Sequence, residues 1–456
     1  MATGEAGNKS VEWRVNTTEG STVKLEPESN VIGRAWQGLK VKVFEFAKKV
    51  WKIGVDDPRK AMHGIKVGLA LSLVSLFYYT RPLYDGVGGT AMWAIMTVVV
   101  IFDYSVGGSL YKGFNRTIAT STGGALALGI HFFADKSGKT FEPLVLGASL
   151  FLLASAATFS RFIPIVKARF DYGITIFILT FSLVSMSGYR VEKVVTMAQQ
   201  RLSTIAIGVT ICFLVCIFIC PVWAGGDLHL LIIRNMEKLA DSFEGCVGNY
   251  FDGSEKNSAG YKCVLNSKAS EDSLANLATW EPAHGAFNFR HPWKQYLKVG
   301  SAMRYCAYCI EALNGCINSD IQTPEHTKKH LSAVCMKVSS EASKVLKEMV
   351  NSVMTMTKSP CIDHLVGEMN IAVEELHSAM RTLSDSITRS SAVSVSFVET
   401  LPLITIASLV IEVCTRVEAI VDSVEELASL AGFKPVAISN ETQEQDAMKA
   451  VHVQIV

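Results

Sequence analysis

Four basic residues stand where a positive charge is costly. Lys66 and Arg116 open apolar runs, Arg201 directly precedes a strongly apolar run, and Arg190 lies shortly ahead of it. A charged side chain in or beside a membrane-spanning segment is expensive, so it usually faces a water-filled path or a polar partner. An unpaired positive lining attracts anions and repels cations. Arginine suits this task, because it stays charged and grips carboxylates through two parallel N–H bonds. The expected chemistry is the holding and release of a small anion by Lys66, Arg116, Arg190 and Arg201. For Lys66 and Arg116 a second reading stays open, that of anchors at the inner membrane interface. The same two readings apply to Arg161, Lys167 and Arg169. Arg190 and Arg201 fall on the outer side, against the trend of such anchors, which favours a functional role. Asp85 and Glu192 lie in outer loops, as contacts for an external cation or as solvated charges.

Other chemistry is poorly supported. The sequence has no GxxxxGK[ST] phosphate loop and no GxSxG elbow, and Gly86-x-Gly88-Gly89 is not followed by a Rossmann-like unit. Cys306 and Cys309 form a lone CxxC and read as buried helix cysteines. His326 and His330 lack acidic partners at metal-ligand spacing. No catalytic residue, cofactor or metal is expected, and nothing points to nucleic acid.

These residues need a membrane scaffold. The chain has 456 residues, 49% hydrophobic and only 19% charged, with a mean hydropathy of +0.28. The charge is uneven: net +3 over residues 1–64, +6 over 65–224 and −8 over 225–456. The middle block is both the most apolar and the most positive. It holds six apolar runs, at 65–79, 87–102, 117–134, 143–159, 172–188 and 203–223, of which the second, fifth and sixth are the clearest. A tilted spanning helix needs roughly 17–25 residues, so several runs must recruit polar flanks. Small residues such as Gly123, Gly124 and Gly129 suit close helix packing. With the N-terminus in the cytosol, thirteen Lys and Arg residues fall on inner segments and six on outer ones, which places both termini inside.

The expected organisation has five parts. Residues 1–35 form a disordered leader. Residues 36–60 form a basic amphipathic interfacial helix, with Trp36, Leu39, Val43, Phe46, Val50 and Trp51 at helical steps and Lys40, Lys42, Lys48, Lys49 and Lys52 around them; a helix packed on another domain is the second reading. Residues 61–224 form a six-helix anion-conducting domain. Residues 225–434 form a cytosolic helical bundle, with patterns at 293–314, 325–357, 362–386 and 402–431 and a loop over 253–273. Asp227 reads as the N-cap of the first bundle helix, and 435–456 as a flexible tail. The fold class is an all-α membrane protein with six transmembrane helices followed by a cytosolic helical bundle.

Four segments carry a resemblance: Ala91-Met-Trp-Ala-Ile-Met-Thr-Val-Val-Val100, Arg169-Phe-Asp-Tyr-Gly-Ile-Thr-Ile-Phe-Ile-Leu-Thr-Phe181, Pro221-Val-Trp-Ala-Gly-Gly-Asp-Leu-His229 and the stretch from Trp280-Glu-Pro282 to Tyr296. Together they resemble the plant aluminium-activated malate transporter family over residues 56–433. The resemblance implies a homodimeric channel for malate and for inorganic anions such as chloride, with Lys66, Arg116, Arg190 and Arg201 at basic positions of the family pattern. A coupled organic-acid transporter is the alternative, and a non-transporting scaffold the third reading. In the Trp280 segment the expectation is structural: a buried Trp280, a turn at Glu281-Pro282 and packing of Phe287, Phe289 and Trp293, or else an influence on gating. For aluminium, Thr196 stands where an acid beyond Asp85 and Glu192 would help. The leader at 11–15 and the loop at 81–89 resemble the vacuolar branch, which favours the vacuolar membrane over the plasma membrane.

Overall fold

Apolar periodicity of 3.6 residues runs through nearly the whole chain, and the computed structural model is correspondingly helical. It describes residues 28–80, 91–138, 140–188, 194–253, 258–319, 323–389 and 397–435. Residues 1–27, 81–90, Arg190, Glu192 and the chain beyond 435 lie outside the described residues, and with them the expectations for Asp85, Arg190 and Glu192; residues 28–35, expected as the end of the disordered leader, instead begin a helix. The chain divides into two units, residues 1–66 and 67–456. In the first, α1 (Glu28–Asp56) is followed after one residue by the opening turns of α2 (Pro58–Tyr79), which continues into the second unit.

The apolar helices of the second unit follow in chain order: α3 (Ala91–Ile101), α4 (Val106–Lys136), α5 (Glu142–Ser160), α6 (Pro164–Gly188) and α7 (Val194–Phe218). Among the described residues five helices are long and apolar enough to cross a membrane: α2, α4, α5, α6 and α7. The second expected run, read as one of the clearest, contributes only the 11-residue α3. At about 1.5 Å per residue, α3 alone falls well short of a hydrocarbon core of roughly 30 Å. The third run extends the other way. α4 begins at Val106, so its polar first half, with Ser109, Lys112, Asn115 and Arg116, is helix and not loop.

Ala70, Val74, Ala94, Val98, Val209 and Cys212 bury one another where α2, α3, α4 and α7 meet. A smaller cluster of Ala127, Phe181 and Val184 joins α4 to α6. Close approach there depends on Gly123, where a Cβ would lie 3.2 Å from the Phe177 carbonyl oxygen. Lipid tails offer no hydrophobic force between helices, so such contacts supply much of the association.

The rest of the chain is a helical bundle of α8 (Ala224–Phe251), α9 (Tyr261–Leu265), α10 (Lys268–Ala278), α11 (Trp293–Ile317), α12 (Glu325–Thr355), α13 (Ile362–Arg389) and α14 (Phe397–Ala431). A two-residue parallel pairing of Thr357–Lys358 with Lys434–Pro435 closes it. The expected loop over 253–273 instead contains α9 and the start of α10. Isolated helices this short are marginal, and these are held by packing: Tyr261, Val264, Ala275 and Ala278 are buried in the main core.

One ion pair stands out in the bundle. Glu271 is 0% exposed. Its carboxylate accepts from Arg304 Nη1 at 2.6 Å and from Ser267 Oγ at 2.6 Å. Removing one partner leaves a buried charge uncompensated, which costs about 3–5 kcal/mol. Glu271→Ala is therefore expected to lower the thermal midpoint of the detergent-solubilised protein by several degrees. The exposed pair Lys337–Glu375, at 2.7 Å, is worth about 1 kcal/mol or less. If Glu271→Ala melts like Glu375→Ala, the buried pair is not structural.

Candidate functional site

Trp93, Arg116, Thr120, Ile176, Leu179, Thr180, Leu183, Arg201 and Ile205 line one narrow cavity within the apolar helices. It lies between α3, α4, α6 and α7, and no lining residue is acidic. Thr120 stands one helical turn after Arg116 on α4, so both present to the same side. Ile176, Thr180 and Leu183 repeat at three- and four-residue steps on α6. The free space is closer to that of a water than of a dicarboxylate.

The two guanidinium groups are held differently. Arg116 is 7% exposed and donates from Nη1 to the Tyr172 hydroxyl at 3.3 Å. Its Nε is buried without a hydrogen-bond partner, and so is Thr120 Oγ1. Arg201 lies over the Trp93 ring, 4.1 Å from the ring centre, a cation–π contact that orients the side chain without neutralising it. Among the described residues neither arginine pairs with a carboxylate. Buried donors without partners, lined by positive charge, are ready to accept an anion.

The other basic candidates separate cleanly. Arg161 is paired with Asp171 through two bonds of 2.7 and 3.1 Å, and Lys112 with Asp103 at 2.9 Å. Lys167 and Arg169 are exposed near the start of α6. Lys66 is 2% exposed on α2 and is the last residue of the first unit. Arg116 stands well inside α4 instead of opening a span. Trp93, Thr120, Tyr172 and Thr180 were missed as site residues. Trp93 and Thr180 sit in the segments that carry the family resemblance, and Thr120 shares a face with Arg116, so a signal was present.

A second polar node lies at one end of these helices. Glu281 Oε1 accepts from the backbone N–H of Ala224 at 2.6 Å and of Gly107 at 3.2 Å, while Oε2 accepts from Gly225 at 3.0 Å. One carboxylate thus serves the first N–H groups of both α4 and α8, where unpaired donors and the helix dipoles favour negative charge. The remaining early donors of α4 are also met: Val106 N–H bonds the Val222 carbonyl at 2.9 Å, and Gly108 N–H bonds Ser105 Oγ at 3.1 Å. Gly107 and Gly225 are required for this approach. A Cβ at Gly107 would strike the Leu277 carbonyl and Glu281, and one at Gly225 the Trp293 ring. Burial raises the Glu281 carboxyl above its usual range, and the three N–H groups with His284 pull it back.

Three expectations are corrected here. Asp227 sits inside the first turn of α8 and is not its N-cap; that role passes to Glu281, because α8 starts three residues earlier. Trp280 is half-buried and packs edge-on to Tyr111 at 5.6 Å and against Phe114 at 6.3 Å, so it ties the bundle to α4. Phe287 and Trp293 pack together at 5.2 Å as expected, but Phe289 is 73% exposed.

Comparison with known proteins decides the family. The sequence profile described as "Aluminium activated malate transporter" matches residues 51–392. Aluminum-activated malate transporter 10 of Arabidopsis thaliana is 48% identical over 481 aligned residues, covering 95% of this chain and 96% of its own. Aluminum-activated malate transporter 2 of the same plant is 46% identical, covering 86% of this chain and 79% of its own. Aluminum-activated malate transporter 1 of Triticum aestivum is 42% identical, with 87% and 88% covered. The chain belongs to the aluminium-activated malate transporter family. This is a family of multi-span membrane transport proteins, not enzymes. The matched region contains the arginine cavity and the Glu281 node and ends before α14.

Beside the Glu281 node this family member carries a buried histidine pair. His229 Nδ1 lies 3.0 Å and His291 Nε2 3.2 Å from the Tyr296 hydroxyl. Burial lowers both imidazoles to about 4, against roughly 6.5 unfolded. Between these values the unfolded chain binds more protons, so stability is intact above about pH 6.5 and falls as pH drops toward 4. The thermal midpoint in detergent is expected to decline through that window, and His229→Gln to flatten the decline. A flat wild-type profile between neutral pH and the lower limit would contradict the buried neutral pair.

Proposed function

We propose that the chain is a channel that passes malate, and small inorganic anions such as chloride, down their electrochemical gradient. The observation that carries this is the shared cavity of Arg116 and Arg201, two uncompensated positive charges among membrane helices. A fixed positive lining attracts anions and excludes cations without any step of chemistry. On the family resemblance, Lys66 and Arg190 are further basic positions of the anion pathway, and Asp85 and Glu192 possess the charge for an external cation contact. Malate as the permeant ion is supported by the names of the relatives.

The proposed assembly is a homodimer in which each subunit contributes six crossings, the second made by α3 with its flanks. Helices crossing in alternation bring the start of α4, the turn between α5 and α6 and the end of α7 to one side. The bundle gathers there: Asn276 Nδ2 donates to the Ala168 carbonyl at 3.0 Å, and Glu281 binds Gly107. With both termini cytosolic, that side is the cytosol. The resemblance of the leader and of the 81–89 loop to the vacuolar branch favours the vacuolar membrane.

Voltage clamp on vacuoles overexpressing the protein tests this reading. Malate is exchanged for chloride and then for a large impermeant anion. A reversal potential that follows malate supports an anion channel there. No added current in vacuoles or at the plasma membrane defeats it. Current limited to carrier-like turnover would favour a coupled organic-acid transporter instead.

A further inference from the structure

We propose that α1 is a docking surface for anionic lipid, and that its basic face selects the charge of the membrane leaflet on which it lies. Trp36, Leu39, Val43, Phe44, Phe46, Val50 and Trp51 are all exposed, between 51% and 76%. At 100° per residue, Leu39, Val43, Phe46 and Val50 fall on one stripe, and Trp36, Phe44 and Trp51 widen it. Lys42, Lys48, Lys49 and Lys52 fall on the opposite face with the acids Glu45 and Asp56, while Lys40 interrupts the widened apolar side. None of the hydrophobic clusters among the described residues includes a residue of α1. An apolar stripe of this size left in water is unfavourable by the area it exposes.

Two features identify what covers it. The first is charge: lysines outnumber acids on the polar face, so a surface of negative headgroups complements it, whereas a second copy of α1 would bring lysine against lysine. The second is covalent continuity. A single residue, Asp57, separates α1 from α2, whose segment Pro58–Phe77 is long and apolar enough to enter a bilayer. A helix tethered to a span is confined to the interface, where bulky apolar residues sink below the headgroups and lysines stay among them.

Each lysine held near an anionic surface contributes roughly fivefold in binding, falling with salt. The test is amide hydrogen exchange on the full chain reconstituted in vesicles of phosphatidylcholine alone or of phosphatidylcholine with phosphatidylserine. Protection over 36–55 should rise roughly tenfold or more with phosphatidylserine. The combined variant Lys42→Gln, Lys48→Gln, Lys49→Gln, Lys52→Gln should lose that gain, while protection over 228–247 stays unchanged and shows that the bundle is folded. Equal protection in both vesicle types overturns the charge selection. Equal protection in lipid-free detergent overturns the lipid assignment and gives the face to a second copy of the chain. Neither outcome depends on whether the protein conducts malate.

Discussion

Arg201→Ala is expected to cut anion current by one to two orders of magnitude while the protein remains in the membrane. The estimate comes from charge alone. A monovalent anion about 5 Å from the guanidinium, at an effective dielectric of about 20, gains about 3 kcal/mol, or roughly a hundredfold in occupancy. Arg116 lines the same cavity and retains part of the attraction, so the loss is smaller than that ceiling. Stability should change little, because Arg201 is held only by the Trp93 ring and pairs with no carboxylate among the described residues. Arg201→Lys keeps the charge and should keep most of the current. Arg201→Glu should reverse the preference, so that the reversal potential shifts toward that of a cation. The Arg116→Ala, Arg201→Ala double variant should lose less than the sum of the single losses, because the two charges act on one ion. Wild-type current and ion preference in Arg201→Ala, with normal surface labelling, would remove Arg201 from the pathway.

The two arginines were legible in the sequence for a simple reason: a charge beside a strongly apolar run has few roles. Their meeting was not. Arg116 and Arg201 lie on helices separated by α5 and α6, and only the packing of α4 against α6 and α7 brings them to one cavity. The depth of Arg116 was hidden too. Hydropathy cannot distinguish a polar loop from a polar half-helix shielded by protein, and Ser109, Lys112 and Asn115 made the first half of α4 look like the former. The long bundle helices were read to within a few residues from their apolar stripes. The short α9 and the start of α10 were read as loop, because their stability resides in the core they join and not in their own sequence. α3 shows the converse, a run apolar enough to suggest a full crossing whose described helix is too short to make one.

The Trp280-Glu281-Pro282 segment marks the limit of local reading, and it supports the second large prediction. Its carboxylate binds an N–H 174 residues away, a partner no spacing rule could name. Glu281→Ala leaves three N–H groups at two helix starts without their side-chain acceptor. Removing one side of a buried, charged hydrogen-bond set costs about 3–5 kcal/mol. Glu281→Gln keeps the shape but brings an amide donor toward backbone donors, so it should be nearly as harmful. The damage is local in origin: amide exchange at 107, 224 and 225 should quicken by about a hundredfold or more, since about 2.7 kcal/mol of lost protection suffices for that. It should also reach the conducting site. Gly107 and Arg116 belong to the same α4, so a change in how that helix is seated displaces the guanidinium it carries. The variants are therefore expected to alter the voltage dependence of the current, in contrast to Glu375→Ala, which removes only the exposed pair between α12 and α13. If exchange at 107 and 224 is unaltered in Glu281→Gln and its gating is wild type, the carboxylate does not join the bundle to the membrane helices.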